Sequence, residues 1–353
     1  MAGWFPNALQ RRKPAVLVVL GAILLGAAVW TAGIYAPAPG PTATLAPVPT
    51  PSAVPSPDSP LVLEPPEDFY IETARARDFP GGEIVRERKL AEIGAYTTYA
   101  ISYPSDGLRI TGLMNVPKGD GPFPAVILNH GYYPVPGYEP GDGTKREMDY
   151  LAARGFLTVA PDYRSHAGSD EYPDPYLTRP GYYFDVLNLT ASLREDPVVA
   201  ADRIGIWGHS MGGEVTLKAV AARPEWYRAV VAYGGMHADE VRNYRWITEV
   251  WNPSYKAPFD ARFGAPDDAP EVYRKLSSLP YLRDFRAPVQ IHHGTADVQV
   301  PYQWSVELAA ELERLGKPVE FVTYAGAPHI FQGAEWNRFV RSITGFYSEH
   351  LGD

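Results

Sequence analysis

Gly208-His209-Ser210-Met211-Gly212-Gly213 sets a serine between glycines, after the apolar run Arg203-Ile204-Gly205-Ile206-Trp207 and before the helix-like Glu214-Val215-Thr216-Leu217-Lys218-Ala219-Val220. The order reads strand, sharp turn, helix. A serine at the tip of so tight a turn needs strained backbone angles and neighbours without a Cβ, here Gly208 and Gly212. In that context the G-x-S-x-G pattern reads as a nucleophile elbow, whose chemistry is acyl transfer through the Ser210 hydroxyl. The alternative is a glycine-rich turn whose serine only caps the next helix. Partners further along the chain decide between the two.

A serine nucleophile needs a histidine to take its proton and a carboxylate to fix the histidine's tautomer. On this scaffold the acid and then the histidine follow the serine, each on a loop at the carboxyl end of a strand. His329 lies in Tyr324-Ala325-Gly326-Ala327-Pro328-His329-Ile330-Phe331, directly after the β-branched and aromatic run Val319-Glu320-Phe321-Val322-Thr323. It is the expected general base; His237 precedes any acid loop and His350 sits in the terminal tail. Ala287-Pro288-Val289-Gln290-Ile291-His292-His293 reads as a buried strand that runs into Gly294-Thr295-Ala296-Asp297, which makes Asp297 the expected acid. Asp267 and Asp284 also lie between serine and histidine, but neither follows a strand. Taken singly, Asp297 would pass for a turn residue and His329 for a packed core histidine; joined to Ser210 in this order they form a catalytic triad.

The oxyanion hole is expected from two backbone N–H groups. One belongs to Met211, after the nucleophile. The other belongs to Tyr132, in the loop His130-Gly131-Tyr132-Tyr133-Pro134 that leaves the strand Ala125-Val126-Ile127-Leu128-Asn129, with Tyr133 the alternative if the loop is rotated by one residue. Tyr133 and Tyr163 are the candidate substrate-binding side chains, with packing in the aromatic wall as the competing role.

These residues carry a resemblance. His130-Gly131, Asp162-Tyr163-Arg164, Gly208 through Gly213, His293-Gly294-Thr295-Ala296-Asp297 with Val300-Pro301, and Gly326 through His329 resemble the prolyl-oligopeptidase-type (S9-like) branch of the α/β-hydrolase superfamily, near dienelactone-hydrolase-like and acetyl-esterase-like proteins. The likeness runs from about Leu108 to the C-terminus. It implies an α/β-hydrolase fold and a serine hydrolase cleaving ester or peptide bonds, and says little about substrate. Two departures stand out. The usual Asp-x-Arg-Gly-x-Gly is replaced by Asp162-Tyr163-Arg164-Ser165-His166-Ala167, so a different loop path is expected. The family's peptidases also carry a β-propeller, which the roughly forty residues between the stalk and the first core strand are too few to form, since one blade alone takes about that many.

The elements that must position these groups alternate along the chain. A hairpin is expected from 92–103 and 108–116, then the strand at 125–129, a helix over 145–154, a strand at 156–160, a helix over 182–194, the elbow strand and helix, and a strand at 227–233. That alternation predicts an α/β fold with a mostly parallel sheet covered by helices on both faces, and the site at the carboxyl ends of the strands. Residues 234–286, polar and aromatic and too long for an ordinary loop, are expected to form a lid; peripheral helices are the alternative.

The N-terminus has another character. After a short basic tail (1–13) containing Arg11-Arg12-Lys13, an uncharged apolar run over 14–36 is long enough for a transmembrane helix. Basic residues before it predict a signal anchor with the catalytic domain on the extracytoplasmic side; a cleaved signal that releases a secreted enzyme is the alternative. Residues 37–66, nearly all Pro, Ala, Ser, Thr and Val, read as an extended stalk, and 67–353 as the catalytic domain. A net charge of −9 over 353 residues offers no basic patch for nucleic acid. The chain has no cysteine, which rules out thiolate nucleophiles, thiolate metal ligands and a lipidated-cysteine anchor. No cofactor or catalytic metal is expected. Small-ester carboxylesterase activity is the expectation, with an S9-type peptidase for short peptides as the alternative. A non-hydrolytic acyltransferase and a non-catalytic binding protein are further possibilities.

Overall fold

The computed structural model describes residues 64–352. The expected membrane span at 14–36, and nearly all of the stalk, lie outside the described residues. Among those described, no helix is long and apolar enough to cross a membrane.

A short helix, α1 (Ile71–Ala76), leads into three antiparallel strands, β1 (Val85–Ile93), β2 (Tyr96–Ser105) and β3 (Leu108–Pro117). The rest alternates: β4 (Phe123–Asn129), α2 (Lys145–Ala152), β5 (Leu157–Pro161), α3 (Thr178–Glu195), β6 (Val199–His209), α4 (Met211–Ala222) and β7 (Ala229–Tyr233). An insertion with α5 (Glu240–Arg245), α6 (Lys256–Phe263) and α7 (Pro270–Leu276) follows. The chain closes with β8 (Val289–Gly294), α8 (Tyr302–Arg314), β9 (Val319–Tyr324) and α9 (Gly333–Leu351). The strands form one sheet in the order β1-β2-β3-β5-β4-β6-β7-β8-β9. The first three and β5 pair antiparallel, and β5 through β9 run parallel.

The reason lies in composition. β4, β5 and β7 are buried along nearly their whole length, which suits strands covered on both faces rather than one. The helix α3 is buried from Thr178 to Leu193 apart from Arg179. The core splits accordingly, with one cluster between the sheet and α3 and α4 and another between the sheet and α2 and α9. With helices on both faces, the loops at the carboxyl ends of the parallel strands are left to carry the chemistry.

One sequence expectation is corrected. A strand starting at Glu92 crosses a chain reversal: Ile93 pairs with Tyr96 across Gly94-Ala95, so β1 and β2 are separate strands. The break is hard to see because β1 is a charged edge strand exposed throughout, without the alternation that marks a half-buried strand. The β2–β3 turn is the two residues Asp106-Gly107, both at positive φ (53° and 77°) with Ser105 opposite Leu108, which matches the backbone twist of a tight hairpin.

Candidate active site

Ser210 sits between the last residue of β6 and the first of α4, at φ 56° and ψ −121°. That region is sparsely populated, and holding a serine there costs on the order of 1–3 kcal/mol. The surroundings impose it. The Ser210 N–H donates to the Tyr233 carbonyl (3.0 Å), and its own carbonyl accepts from the Gly213 and Met236 amides (2.9 and 3.0 Å). A Cβ on Gly208 would stand 2.1 Å from the Gly212 carbonyl oxygen, and one on Gly212 would stand 2.0 Å from that of Asn129. Neither position accepts another residue. The Ser210 side chain makes no capping hydrogen bond to α4, so the hydroxyl is presented outward rather than spent on the helix.

Asp297 and His329 meet on neighbouring loops, after β8 and β9. His329 Nδ1–H donates to Asp297 Oδ2 at 2.6 Å, with the carboxylate inaccessible to solvent. The ring nitrogen left over, Nε2, is the one a base uses. Ser210 makes no hydrogen bond to His329 among the described residues; serine–base contacts commonly tighten only around bound substrate. The two are nonetheless neighbours through His209, whose ring lies 4.5 Å from that of His329. His209 Nε2–H donates to the His329 carbonyl at 3.2 Å. Burial, then the neighbouring His329, pushes the His209 imidazole down to about 3, so it stays a neutral prop. The Phe331 N–H donates to the Tyr233 hydroxyl at 2.6 Å and fastens the far side of the same loop.

Adjacency in a buried strand predicts structural packing on opposite sheet faces for His292 and His293. His292 fits that: it is fully buried, with Tyr324 and Gln290 as partners. His293 departs from it. Its Nε2 faces two acceptors, Asp297 Oδ2 (2.9 Å) and the Val300 carbonyl (3.2 Å), so this nitrogen carries the proton, while Nδ1 accepts from Ser305 (2.7 Å). Asp297 Oδ1 accepts from the Gln299 and Val300 amides at 2.8 and 2.9 Å. Burial alone would raise this carboxyl, but the bonds from His293, His329 and Val300 outweigh it and hold it well below the ordinary carboxylate range. The available signal was spacing: a strand-end side chain four residues before the acid returns toward it when the intervening loop is tight.

The amides expected at the oxyanion hole, those of Met211 and Tyr132, make no backbone hydrogen bond among the described residues. Gly131 packs against the nucleophile, 3.2 Å from Ser210 Cβ to the position a Cβ would take. The loop rests on an aromatic bed. The fully buried His130 ring lies against Tyr138 (4.5 Å) and Tyr163 (4.3 Å). Tyr138 donates to Asp162 (3.0 Å), and His166 Nε2 donates to the Tyr133 carbonyl (3.2 Å). Tyr163, a candidate substrate contact, is corrected here: it is fully buried and stacked between His130 and Tyr182, so it supports the loop from below and cannot touch a substrate. Tyr133 is half-buried, whereas the Tyr132 side chain is 52% exposed.

The insertion at 234–286 is built into the body and also reaches the rim. Tyr244, Phe263 and Tyr273 belong to the main core. The π-helical turn Trp246–Trp251 is tied to the acid loop by the Trp246 indole N–H donating to the Gln299 carbonyl at 3.0 Å. Tyr255 packs edge-on against Tyr176 and lies beside the Tyr132 hydroxyl. Arg262 bonds Asp174 at 2.6 Å.

This arrangement has relatives. Residues 143–353, which include Ser210, Asp297 and His329, match the Prolyl oligopeptidase family. The chain belongs to that family. Among curated proteins it is similar to the uncharacterized peptidase YtmA of Bacillus subtilis (strain 168), 29% identical over 70% of this chain and 91% of that protein. Among solved structures it is similar to acetyl xylan esterase 1 from Thermoanaerobacterium sp. JW/SL YS485, with a TM-score of 0.61 and 21% identity over 82% of this chain and 95% of that one. It is also similar to Pyrococcus horikoshii acylaminoacyl peptidase, with a TM-score of 0.60 and 23% identity over 73% of this chain and 42% of that one. The fold is that of the α/β-hydrolases, and the protein is a serine hydrolase.

Proposed function

We propose that the protein is a membrane-tethered carboxylesterase in which Ser210, His329 and Asp297 act as a triad on small uncharged acyl esters. The observation that carries the catalytic part is the buried 2.6 Å bond from His329 Nδ1 to Asp297, on loops beside a serine held at positive φ. In this reading Ser210 Oγ attacks the acyl carbonyl and passes its proton to His329 Nε2. The Met211 and Tyr132 amides receive the developing oxyanion, and His329 returns the proton to the leaving group. Water then repeats the cycle and frees the acid. Preorganised donors of this kind are worth several kcal/mol each, about 2.7–4 for one oxyanion amide or amide-like group.

Two points support ester over peptide. The acetyl xylan esterase is matched over 95% of its chain and the acylaminoacyl peptidase over 42% of its own. Esters also carry the better leaving group, so the site needs less from the rest of the substrate. The peptidase reading has its own support in YtmA, matched over 91% of its length. Purified protein assayed on short-chain p-nitrophenyl esters and dipeptidyl p-nitroanilides separates the two. The expected result is at least about tenfold higher kcat/KM on the esters, equivalent to roughly 1.4 kcal/mol in barrier. Efficient anilide release with weak ester turnover restores the peptidase.

A further inference from the structure

The large apolar side chains that stand exposed among the described residues are not scattered. Three lie on the edge strand β1, and the others lie in connections that leave the carboxyl ends of the parallel strands. Single exposed apolar residues are ordinary, but a cluster of them marks a binding surface. Four of these lie on the two loops that carry Asp297 and His329 or on the turn fastened to the first of those loops. Val298 (88% exposed) follows Asp297 and Ile330 (49%) follows His329, and the 2.6 Å bond between Asp297 and His329 holds the two loops together. Val250 (59%) and Trp251 (50%) end the π-helical turn that the Trp246–Gln299 bond fastens to the acid loop. Turns of this kind are strained and recur at functional positions.

Their place relative to the chemistry says which part of a substrate they meet. His329 must deliver its proton to the departing oxygen, so the leaving group lies over the imidazole, and residues flanking His329 and Asp297 touch that group rather than the acyl chain. We infer that Val250, Trp251, Val298 and Ile330 form a leaving-group subsite and that the substrate is an ester of an apolar alcohol. This deepens the proposed esterase reading and rests on it. Each methylene taken from water onto such a surface is worth about two- to fourfold in kcat/KM, whereas a charged or polyhydroxyl leaving group gains nothing there.

The test uses the full chain and a series of acetates of unbranched alcohols from butanol to octanol, below their aggregation limits. Leaving-group acidity is constant across the series, so intrinsic reactivity is too. The expected result is a rise in kcat/KM at each added methylene, carried by KM. Val298→Ser and Trp251→Ser should flatten the octyl-to-butyl ratio, whereas Leu90→Ser on β1 should leave it as it was. A flat ratio in the unmodified enzyme overturns the inference while leaving the esterase reading intact, and so does a steep ratio that both rim variants retain. Absence of turnover on every acetate overturns both. A dimer in solution that Trp251→Ser dissociates assigns the rim to a second copy and also overturns it.

Discussion

Asp297 accepts four hydrogen bonds, two on each oxygen, and so cannot rotate away from His329. Ser210→Ala should abolish turnover and labelling by a fluorophosphonate with the fold retained, a loss of about 10⁴- to 10⁶-fold; retention of a tenth of the activity would overturn the role of Ser210. Asp297→Asn should cost roughly 10⁴-fold in kcat by holding His329 in the wrong tautomer, with substrate binding little changed. His293 acts one step back, as a positioning residue. His293→Leu removes one of the two donors on Oδ2, leaving a more basic carboxylate against His329. Its expected signature is a roughly tenfold fall in kcat with KM and melting temperature little changed. His293→Gln keeps a donor near Nε2 and should restore kcat; a kcat unchanged in His293→Leu would leave His293 a packing residue. Ser210, Asp297 and His329 could be named as candidates because order along the chain and position at strand ends are sequence properties. His293 and His209 could not, since their roles come from which loop folds back onto which side chain.

At the scale of elements, the helices around the site are tied by buried charge that the sequence does not advertise. Glu214, one turn into α4 from Ser210, bonds Lys218 on its own helix (2.8 Å) and Arg179 on α3 (2.6 Å), and Lys218 reaches Glu240 on α5 (2.9 Å). Glu214→Gln would leave two cations underpaired and should lower stability by roughly 3–5 kcal/mol. Burial alone would raise the Glu214 carboxyl, but Lys218 and Arg179 hold it well below its ordinary value. Its stabilising contribution is therefore full above the unfolded pKa of about 4.3 and is lost as the pH falls toward the folded value. Urea titrations should show the gap between Glu214→Gln and the unmodified protein constant at neutral pH and narrowing below about pH 4; a gap that widens there would contradict the assignment. The loop after β5 gives a second case. Ser165 and Ala167, which replace the family's usual glycines, both adopt positive φ (68° and 48°). The loop thus takes a left-handed path at these residues, at a cost of about 1–2 kcal/mol per residue. The Ser165 hydroxyl accepts from the Tyr172 amide (2.9 Å), so Ala167 is the cleaner test: Ala167→Gly should raise the urea midpoint, by roughly 1 kcal/mol in stability. Strand and helix order was readable throughout the parallel half, where apolar runs alternate with helical periods. The charged edge strand β1 and the buried quartet were not, because both depend on what packs beside them.

For the molecule as a whole, the start of the catalytic body is set by where the chain first enters the core. Glu64 N–H already bonds the Asp68 carboxylate at 2.7 Å. Phe69, Ile71 and Ala74 are buried in the main cluster, and the Tyr183 hydroxyl donates to the Phe69 carbonyl at 3.1 Å. The segment around α1 is thus part of the catalytic body, while the proline-rich composition ahead of it cannot build a core. Removal of residues 1–60 should therefore give a soluble enzyme with unchanged kcat/KM and melting temperature. Removal of residues 1–78 should not, since losing a buried phenylalanine alone costs about 3–5 kcal/mol, a large share of the roughly 5–15 kcal/mol a domain possesses. If the run at 14–36 is a retained anchor, the full-length chain resists carbonate extraction from membranes and the shorter truncation does not. Full-length expression that instead yields free protein beginning near residue 37 would identify a cleaved signal, and the stalk would then be a free N-terminal extension of a secreted esterase. Comparable folding of the two truncations would show that α1 is dispensable and move the start of the catalytic domain to β1.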